Sequence, residues 1–266
     1  MTTRSTPESP TPAQVVLLVN EGPLASIVYH ALKREFPGLQ AIVEDSVPRT
    51  RLLKRRIKKL GPVIVGGQVL FMALVLPILR RTGKRRIEDI KQRFALDDAA
   101  IDDTALRVPS INSDEARQAL QKMDPKIVVV FGTRIIGRAT LSAVPAPFIN
   151  MHAGITPLYR GVHGAYWALA EGRSDLAGTT VHFVDRGIDT GVIIEQAICR
   201  VSSADTFVTY PYLQTAVGLP LLVKAVRAGL NDVLAAGEND RPLPSKLRSH
   251  PTLWTYVGTW LSKGVK

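Results

Sequence analysis

Residues 147–172 read PFINMHAGITPLYRGVHGAYWALAEG, and residues 178–191 read GTTVHFVDRGIDTG. The first stretch opens with an apolar segment that predicts the end of a buried strand. Alternate residues of a strand point to the same face of its sheet, so we expect Asn150 and His152 on one side. The glycines and the proline that follow predict a loop at this strand end.

The second stretch also predicts a strand that ends in polar residues. Residues 179–184 alternate as a strand, and Asp185-Arg186-Gly187 then turns the chain before Asp189. We therefore expect the Asp189 carboxylate to meet the amide of Asn150 and the imidazole of His152 at one edge of a sheet. Each residue alone has a simpler explanation, because strand-end histidines often make local hydrogen bonds and aspartate is common in turns.

Strands and helices alternate along most of the chain. Predicted strands cover residues 15–20, 39–44, 126–131, 147–151 and 179–184, with another near 192, and predicted helices cover 24–36, 113–123, 137–143, 164–171 and 207–228. This alternation predicts an α/β fold with a Rossmann-like, mostly parallel twisted sheet and a short C-terminal helical tail. Ligands of such sheets bind at the carboxyl ends of the strands, where the two polar stretches fall.

The loop after the first strand carries no nucleotide-binding glycine motif. Residues 15–26 read VVLLVNEGPLAS and contain neither GxGxxG nor GxxxxGK[ST]. These motifs place backbone N–H groups around phosphates at the start of a helix. The sequence therefore argues against a dinucleotide-dependent dehydrogenase and against a P-loop ATPase.

The chain length fits one large α/β domain with a small appendage. We divide its 266 residues into a Ser/Thr/Pro-rich lead (1–14), a catalytic domain (15–205) and a C-terminal helix and tail (206–266). The lead has no apolar run, so we expect a cytoplasmic protein without a signal peptide. Cys199 is the single cysteine, which excludes an internal disulfide and indicates a core thiol.

The positive charge is concentrated in one segment. The net charge is +11, and residues 49–93 hold fourteen of the 34 lysines and arginines beside only Glu88 and Asp89. The rest of the chain is almost balanced in charge. We interpret residues 49–93 as a basic insertion in the catalytic domain, because this segment interrupts the alternation of strands and helices.

The basic insertion has an apolar centre between two cationic clusters. Residues 51–60 read RLLKRRIKKL, whose apolar spacing predicts an amphipathic helix. Residues 63–79 are apolar but contain Gly66-Gly67 and Pro77, which argues against a membrane-spanning helix. Two interpretations remain: a core helix with solvated basic flanks, or an element on an anionic membrane, which would place the protein peripherally at the inner membrane surface. The cations are also suited to the phosphates of an acceptor or of tRNA.

The two polar stretches resemble the folate-dependent formyltransferases. The resemblance rests on INMHAGITPLYRG at residues 149–161 and on the stretch at 178–191, and it extends over residues 105–200. That family includes enzymes that formylate glycinamide ribonucleotide, methionyl-tRNA and sugar nucleotides, as well as hydrolases of formyltetrahydrofolate. The resemblance implies the formyltransferase fold, N10-formyltetrahydrofolate as the formyl donor, and no metal ion.

The predicted catalytic residues are Asn150, His152 and Asp189. Formyl transfer needs hydrogen-bond donors at the carbonyl oxygen, where negative charge develops, and Asn150 offers an uncharged amide. A protonated His152 offers a second donor, which the opposite charge of Asp189 would stabilise. The resemblance further implies that Asp189 removes the amine proton, directly or through a water molecule.

The resemblance also implies residues that bind the donor and the acceptor. The donor site is expected in the loops after the strand IVVVF and before Asp189, at Thr133, Arg134, Ile135, Ile136, Val184, Asp185 and Gly187. The acceptor candidates are Tyr159, Arg160, Gly161, His163 and Tyr166. Arg160 is suited to a phosphate. Ordinary packing between strands and helices explains the donor loops equally well, and His182 is expected in the core or in support of the site.

Together these features predict an N-formyltransferase that acts on an amino-sugar nucleotide in the biosynthesis of a surface polysaccharide. The first loop lacks the glycine- and serine-rich phosphate loop of the glycinamide ribonucleotide enzymes. The C-terminal tail is shorter than the extra domain of the methionyl-tRNA enzymes. The alternatives are a methionyl-tRNA formyltransferase, a formyltetrahydrofolate hydrolase, and a non-catalytic basic module that binds a membrane or nucleic acid.

Overall fold

The computed structural model of the protein describes residues 14–237 and 246–266, so all but the last residue of the predicted N-terminal lead (1–14) lies outside the described residues. The strands are β1 (Val15–Asn20), β2 (Gln40–Glu44), β3 (Leu106–Val108), β4 (Ile127–Phe131), β5 (Phe148–His152), β6 (Arg160–Gly161), β7 (Gly178–Phe183), β8 (Ile193–Ile198) and β9 (Leu247–Arg248). The helices are α1 (Pro23–Glu35), α2 (Arg49–Leu60), α3 (Pro62–Leu70), α4 (Leu76–Arg93), α5 (Asp114–Met123), α6 (Arg138–Leu141), α7 (Gly164–Ala170), α8 (Tyr210–Leu230) and α9 (Leu253–Lys263).

The described strands form a large sheet in the order β3-β2-β1-β4-β5-β7-β8 and a small one of β6 and β9. The strands from β3 to β5 run parallel, whereas β7 is antiparallel to β5 and β8 is antiparallel to β7. A short loop joins β7 to β8, and a short connection of this kind permits only an antiparallel pair. The predicted α/β fold with a mostly parallel sheet is confirmed.

The core occupies both faces of the large sheet. Along β1, Val15, Leu17 and Val19 pack in the layer that contains α1 and α8, while Val16 and Leu18 pack in the layer that contains α5. All five side chains are buried. A strand that is covered on both faces is apolar throughout and does not alternate, which agrees with the sequence of β1 and of β4.

Cys199 lies in this core, as predicted. Its side chain is buried, and its thiol donates a hydrogen bond to the carbonyl oxygen of Ala177 at 3.2 Å. Burial raises the pKa of the thiol to about 12. The thiol is therefore protonated and unreactive at neutral pH.

The apolar centre of the basic insertion is helical throughout, so the predicted interruptions are wrong. Gly66 and Gly67 lie inside α3, and a π-helical turn, Phe71–Val75, joins α3 directly to α4. Pro77 stands in the first turn of α4. Proline cannot donate the usual helical hydrogen bond and its ring crowds the preceding turn, and the wider π-helical turn accommodates both effects.

Two helical segments, Pro62–Arg93 and Tyr210–Leu230, are apolar and long enough to cross a membrane by length and composition alone. In its most apolar window the second segment is 56% buried, and it is the core helix α8. The corresponding window of the first is only 22% buried. On α2, Leu53 and Ile57 are 40% and 41% exposed. The interpretation of the insertion as a core helix therefore holds for one face only, where Phe71 packs in the core.

The segment predicted as a C-terminal tail packs on the catalytic domain at three places. Helix α8 covers β7 and β8, and α9 packs against α3. Strand β9 pairs with β6, so that Leu247 lies opposite Arg160 and Arg248 lies opposite Gly161. The residues that follow β9 are thereby brought beside the loop that carries the predicted acceptor residues.

Candidate active site

Strand β5 carries two of the predicted catalytic residues to one edge of the sheet. Asn150 lies opposite Val130 of β4 and opposite His182 of β7, and His152 lies opposite Thr180. The position of Asn150 is therefore at the carboxyl end of the parallel strands. This is the edge at which α/β sheets bind their ligands.

The Asn150 amide is held by His182. The Nδ2 atom of Asn150 lies 3.0 Å from Nε2 of His182, and Nδ1 of His182 lies 2.7 Å from the carbonyl oxygen of Phe183. A carbonyl oxygen only accepts, so Nδ1 carries the proton and Nε2 accepts from Asn150. Burial lowers the pKa of His182, which keeps its ring neutral for this role. One N–H of the amide remains for a ligand.

His152 lies between the Asp189 carboxylate and a backbone carbonyl group. Its Nε2 donates to the carbonyl oxygen of Tyr159 at 2.9 Å, and its Nδ1 lies 3.3 Å from Oδ1 of Asp189. Both ring nitrogens therefore face oxygen atoms of the protein. In this arrangement His152 positions Asp189, and Asn150 is the better placed of the two predicted donors to the formyl oxygen.

The second Asp189 oxygen is held by the backbone of β6. Oδ2 accepts a hydrogen bond from the N–H of Gly161 at 2.8 Å. Gly161 has a φ of +95°, and a Cβ atom on it would lie 2.3 Å from the carbonyl oxygen of Arg248. Only glycine fits between Asp189 and β9, because both the backbone angle and the close approach exclude a side chain.

These residues line a cavity of about 580 Å³. All the residues predicted for the donor site line it: Thr133, Arg134, Ile135, Ile136, Val184, Asp185 and Gly187. Its lining includes isoleucine and valine residues together with the predicted catalytic residues Asn150, His152 and Asp189. A small number of polar groups in a largely apolar cavity is typical of a small-molecule site.

Polar side chains form hydrogen bonds that stabilise the loop predicted to bind the donor. Glu44 is only 3% exposed, and its carboxylate accepts from the N–H of Arg134 at 2.6 Å and from the N–H of Ile111 at 3.2 Å. The Asn112 side chain accepts from the N–H of Gly137 at 2.6 Å and donates to the carbonyl of Ile135 at 2.9 Å. The loop is therefore held in shape without a ligand.

The structure brings only part of the predicted acceptor set to the cavity. Gly161 and His163 line it. Tyr159 is buried, and its hydroxyl donates to Glu171 at 3.0 Å; burial raises its pKa to about 12. Tyr166 packs among the core aromatic rings, and Arg160 donates to the carbonyl of Ile188 at 3.4 Å. The rings of both tyrosines are largely apolar and are packed in the interior. The prediction that these two residues contact the acceptor is therefore wrong.

The cavity also has lining residues that were not predicted. Arg56 of α2 and the residues Leu247 to His250 line it. The Nε2 atom of His163 lies 2.8 Å from Nδ1 of His250, so one ring donates and the other accepts. Burial, aided by the charge of Arg56, lowers the pKa of His163 to about 3 and that of His250 to about 4. The pair is neutral at pH 7.

No local signal marks these residues in the sequence. Arg56 is one of several cations on α2, and residues 247–250 lie in a polar stretch without periodicity. They reach the cavity through tertiary contacts, since Gln68 of α3 donates to the carbonyl of His250 at 2.8 Å. The expectation of a site without metal stays a prediction.

A family model described as formyl transferase matches residues 82–225, which is more than half of the chain. The chain belongs to the formyl transferase family. The match spans α4 to α8 and includes the whole cluster of Asn150, His152, His182 and Asp189. The resemblance inferred from residues 149–161 and 178–191 is confirmed.

Curated relatives in this formyl transferase family are methionyl-tRNA formyltransferases. The protein of Chlorobium phaeovibrioides is 27% identical over 222 residues, which cover 79% of this chain and 59% of that protein. The protein of Desulforamulus reducens is 31% identical over 122 residues, which cover 46% of this chain and 38% of that protein. The chain thus spans about two fifths of the length of the latter relative.

Solved formyltransferases share the fold. A phosphoribosylglycinamide formyltransferase from Anaplasma phagocytophilum has a TM-score of 0.56 at 17% identity, covering 90% of this chain and all of that one. An N-formyltransferase from Helicobacter canadensis, in complex with folinic acid and dTDP-3-aminofucose, has a TM-score of 0.52 at 16% identity, covering 88% and 70%. At these identities the likeness concerns the fold, and the predicted formyltransferase fold is confirmed.

Proposed function

We propose that this formyl transferase family member moves the formyl group of N10-formyltetrahydrofolate to an amine, and that the amine belongs to a sugar nucleotide. The observation that carries the proposal is the cluster of Asn150, His152 and Asp189 in the lining of a largely apolar cavity. We further propose that the reaction is cytoplasmic and serves the synthesis of a surface polysaccharide.

The cavity fits the proposed formyl donor. The lining includes the apolar residues Ile135, Val184 and Ile188, which suit the face of a flat ring, and the polar residues Thr133 and Asp185, which suit its edge. Both features suit a pterin, which is planar and has many hydrogen-bonding atoms on its rim. The complex of the Helicobacter canadensis enzyme with folinic acid supports this proposal.

The side chains have complementary roles in this reaction. The donor supplies a formyl carbon whose oxygen gains negative charge when the amine attacks. Asn150 donates its remaining N–H to that oxygen, and the contact with His182 keeps the amide in the required orientation. Asp189, held by His152 and by the N–H of Gly161, accepts a proton from the attacking amine. The bond between the formyl carbon and N10 of the donor then breaks, and N10 takes up a proton as tetrahydrofolate leaves.

The reaction is tested with three purified variants, Asn150→Ala, His152→Ala and Asp189→Asn. We expect each to lower turnover about 100-fold or more, the usual effect of removing an oxyanion donor or a proton acceptor. Tetrahydrofolate release measures turnover, and thermal unfolding confirms that each variant is folded. Near-normal turnover in all three folded variants would rule out this active site.

The proposed acceptor rests on Arg56, His163 and His250, which also line the cavity. The Arg56 guanidinium suits a phosphate, and the neutral pair of His163 and His250 suits the hydroxyl groups of a sugar. Incubation of the donor with a panel of amino-sugar nucleotides, followed by mass spectrometry, tests the assignment. The expected result is a formyl mass increment on one sugar nucleotide. In Arg56→Gln the formylation of that sugar nucleotide should be slower, through a higher KM.

A methionyl-tRNA acceptor is the second candidate, because the curated relatives carry that name and because α2 is strongly basic. The same assay with charged initiator tRNA separates the two candidates. Formylation of the tRNA with every amino sugar inactive would replace the sugar-nucleotide assignment. Release of formate without any amine would identify a hydrolase of the donor.

A further inference from the structure

The basic insertion leaves an unusual amount of apolar surface uncovered. Of 18 exposed large hydrophobic side chains among the described residues, nine lie between Leu52 and Ile78, and three more lie on the neighbouring helix α9. Single exposed apolar side chains are common on proteins, but a cluster of this size marks an interaction surface.

The exposed side chains form a stripe along one side of the long helix. Val63, Leu70, Leu74 and Ile78 are 72%, 45%, 54% and 63% exposed, and their spacing places them on one face. The stripe is about 22 Å long at 1.5 Å per residue. The opposite face is occupied, because the ring of Phe71 packs against the rings of Phe207 and Tyr256. Only one side of the helix is therefore free for a partner.

Cations flank the stripe at both ends. Lys54, Arg55, Lys58 and Lys59 are exposed on α2, and Arg80, Arg81, Lys84 and Arg85 are exposed on α4. Within the part of the chain that the structure describes, none of these eight forms an ion pair with a carboxylate. By contrast, Arg86 on the same helix is paired with the buried Asp205.

We propose that the face formed by α2, α3 and the start of α4 docks the protein on the surface of an anionic lipid bilayer. A bilayer offers hydrocarbon for the stripe and negative headgroups for the cations at its ends. A second copy of this face would bring like charges together, and nucleic acid offers no hydrocarbon. The face that contains Phe71 is packed against the rest of the protein, so lipid is not able to surround the helix. The helix must therefore lie in the plane of the membrane.

The docking surface adjoins the cavity through α2. Leu53 and Ile57 of this helix are exposed, while Arg56 lines the cavity. Docking would therefore bring the cavity, where Arg56 lines it, close to the lipid surface. The proposal is independent of the formyl-transfer reaction, which is measured in the absence of lipid.

Sedimentation with vesicles tests the proposal on the full chain. We expect the protein to bind vesicles of phosphatidylcholine with about one third phosphatidylglycerol, and not vesicles of phosphatidylcholine alone. Alkaline carbonate should release the bound protein, because the helix does not cross the bilayer. Absence of binding by folded protein, or resistance to carbonate, would overturn the proposal.

Paired variants test the apolar stripe and the cations separately. Leu70→Gln with Ile78→Gln should lower binding at least about tenfold, whereas Ile198→Gln with Val233→Gln, at similar exposures of 46% and 69%, should leave it unchanged. Lys58→Glu with Lys84→Glu should lower vesicle binding to a similar extent. The control, Lys122→Glu with Lys126→Glu outside the surface, should leave vesicle binding unchanged. Circular dichroism confirms folding, and formyl transfer without vesicles should be unchanged in all four proteins.

Two other outcomes would assign the surface to another partner. If Leu70→Gln with Ile78→Gln converts an oligomer to a monomer in light scattering and leaves vesicle binding intact, the surface is a contact between copies of the chain. If vesicle binding depends on the cations alone and tRNA binds with equal affinity, the surface is a general polyanion site. Either result contradicts membrane docking.

Discussion

At the scale of single residues, the orientation of one amide decides what Asn150 is able to do. An amide has a donor end and an acceptor end of nearly the same shape. The protonated Nδ1 of His182 is committed to the carbonyl of Phe183, so the unprotonated Nε2 selects the donor end of Asn150. His182 therefore acts as a positioning residue through Asn150.

Replacement of His182 by leucine should lower kcat about tenfold, because the loss of one hydrogen bond of about 1.4 kcal/mol releases the amide. His182→Gln should recover part of the activity, since its side-chain oxygen is able to accept from Asn150. The KM for the donor should change less than kcat. Steady-state kinetics measures both constants, and equal kcat values for the leucine variant and the wild type would contradict this role.

At the scale of elements, the pairing of β6 with β9 shapes the contact to Asp189. Gly161 donates to Asp189 on one side and lies against the Arg248 carbonyl on the other. The pair consists of only two residues from each strand. A side chain on Gly161 therefore separates the strands and displaces the donor to Asp189 at the same time.

Gly161→Ala should lower turnover about tenfold or more, by loss of a charge-assisted hydrogen bond. Gly172→Ala is a matched control, because Gly172 also has a positive φ, of +76°, but a Cβ on it would meet no atom within 4 Å. The control should lose about 1 kcal/mol of stability to backbone strain and keep its activity. Equal turnover in the two variants would contradict the proposed contact.

A second contact between elements anchors the basic insertion to the core. Arg86 of α4 binds Asp205, which is buried before α8, with Nε to Oδ1 at 2.8 Å and Nη2 to Oδ2 at 3.2 Å. Burial alone would raise the pKa of Asp205, but the hydrogen bonds from Arg86 and Ser202 hold it below its ordinary value. The carboxylate is therefore charged and depends on its partner.

Arg86→Met should lower the free energy of unfolding by about 3 kcal/mol, because it leaves a buried carboxylate without its counter-ion. The control is Lys84→Met on the exposed side of the same helix, which should have an effect of less than about 0.5 kcal/mol. Chemical denaturation measures both values. A difference close to zero would show that Asp205 is stabilised by its other hydrogen bonds alone.

At the scale of the whole molecule, the neutral pair of His163 and His250 couples stability to pH. Each histidine in the unfolded chain takes up a proton below about pH 6.5. In the folded protein the pKa values are lowered to about 3 and about 4. The stabilisation is therefore complete above pH 6.5 and is lost progressively as the pH falls towards 4.

The free energy of unfolding should fall between pH 6.5 and 4, by up to about 1.4 kcal/mol per pH unit for each histidine. Substitution of both histidines by glutamine retains a neutral hydrogen-bonding pair and removes this titration. Denaturation curves at several pH values should thus give a free energy of unfolding that depends less steeply on pH in the double variant. An equal pH dependence of the free energy of unfolding in the two proteins would show that the histidines are solvated in the folded state.

The fold and the centre of the site were predictable because their signals are local. Apolar strands such as β1 and β4 differ in pattern from amphipathic helices, and turns of glycine and proline separate them. Asn150 and His152 are two residues apart on one strand, so the pleat alone predicts that they share a face. Asp189 was predicted to meet them because it follows a second strand that ends in polar residues, and the 3.3 Å contact to His152 agrees.

By itself the sequence determined the α/β architecture, the strand that presents the predicted catalytic residues and the predicted donor loops that line the cavity. Only the tertiary structure decided that Arg56 and residues 247–250 line the cavity, and that the apolar stripe of the insertion stays exposed. The physical reason is that an apolar face is encoded locally, whereas the element that covers it, or fails to, comes from a distant part of the chain.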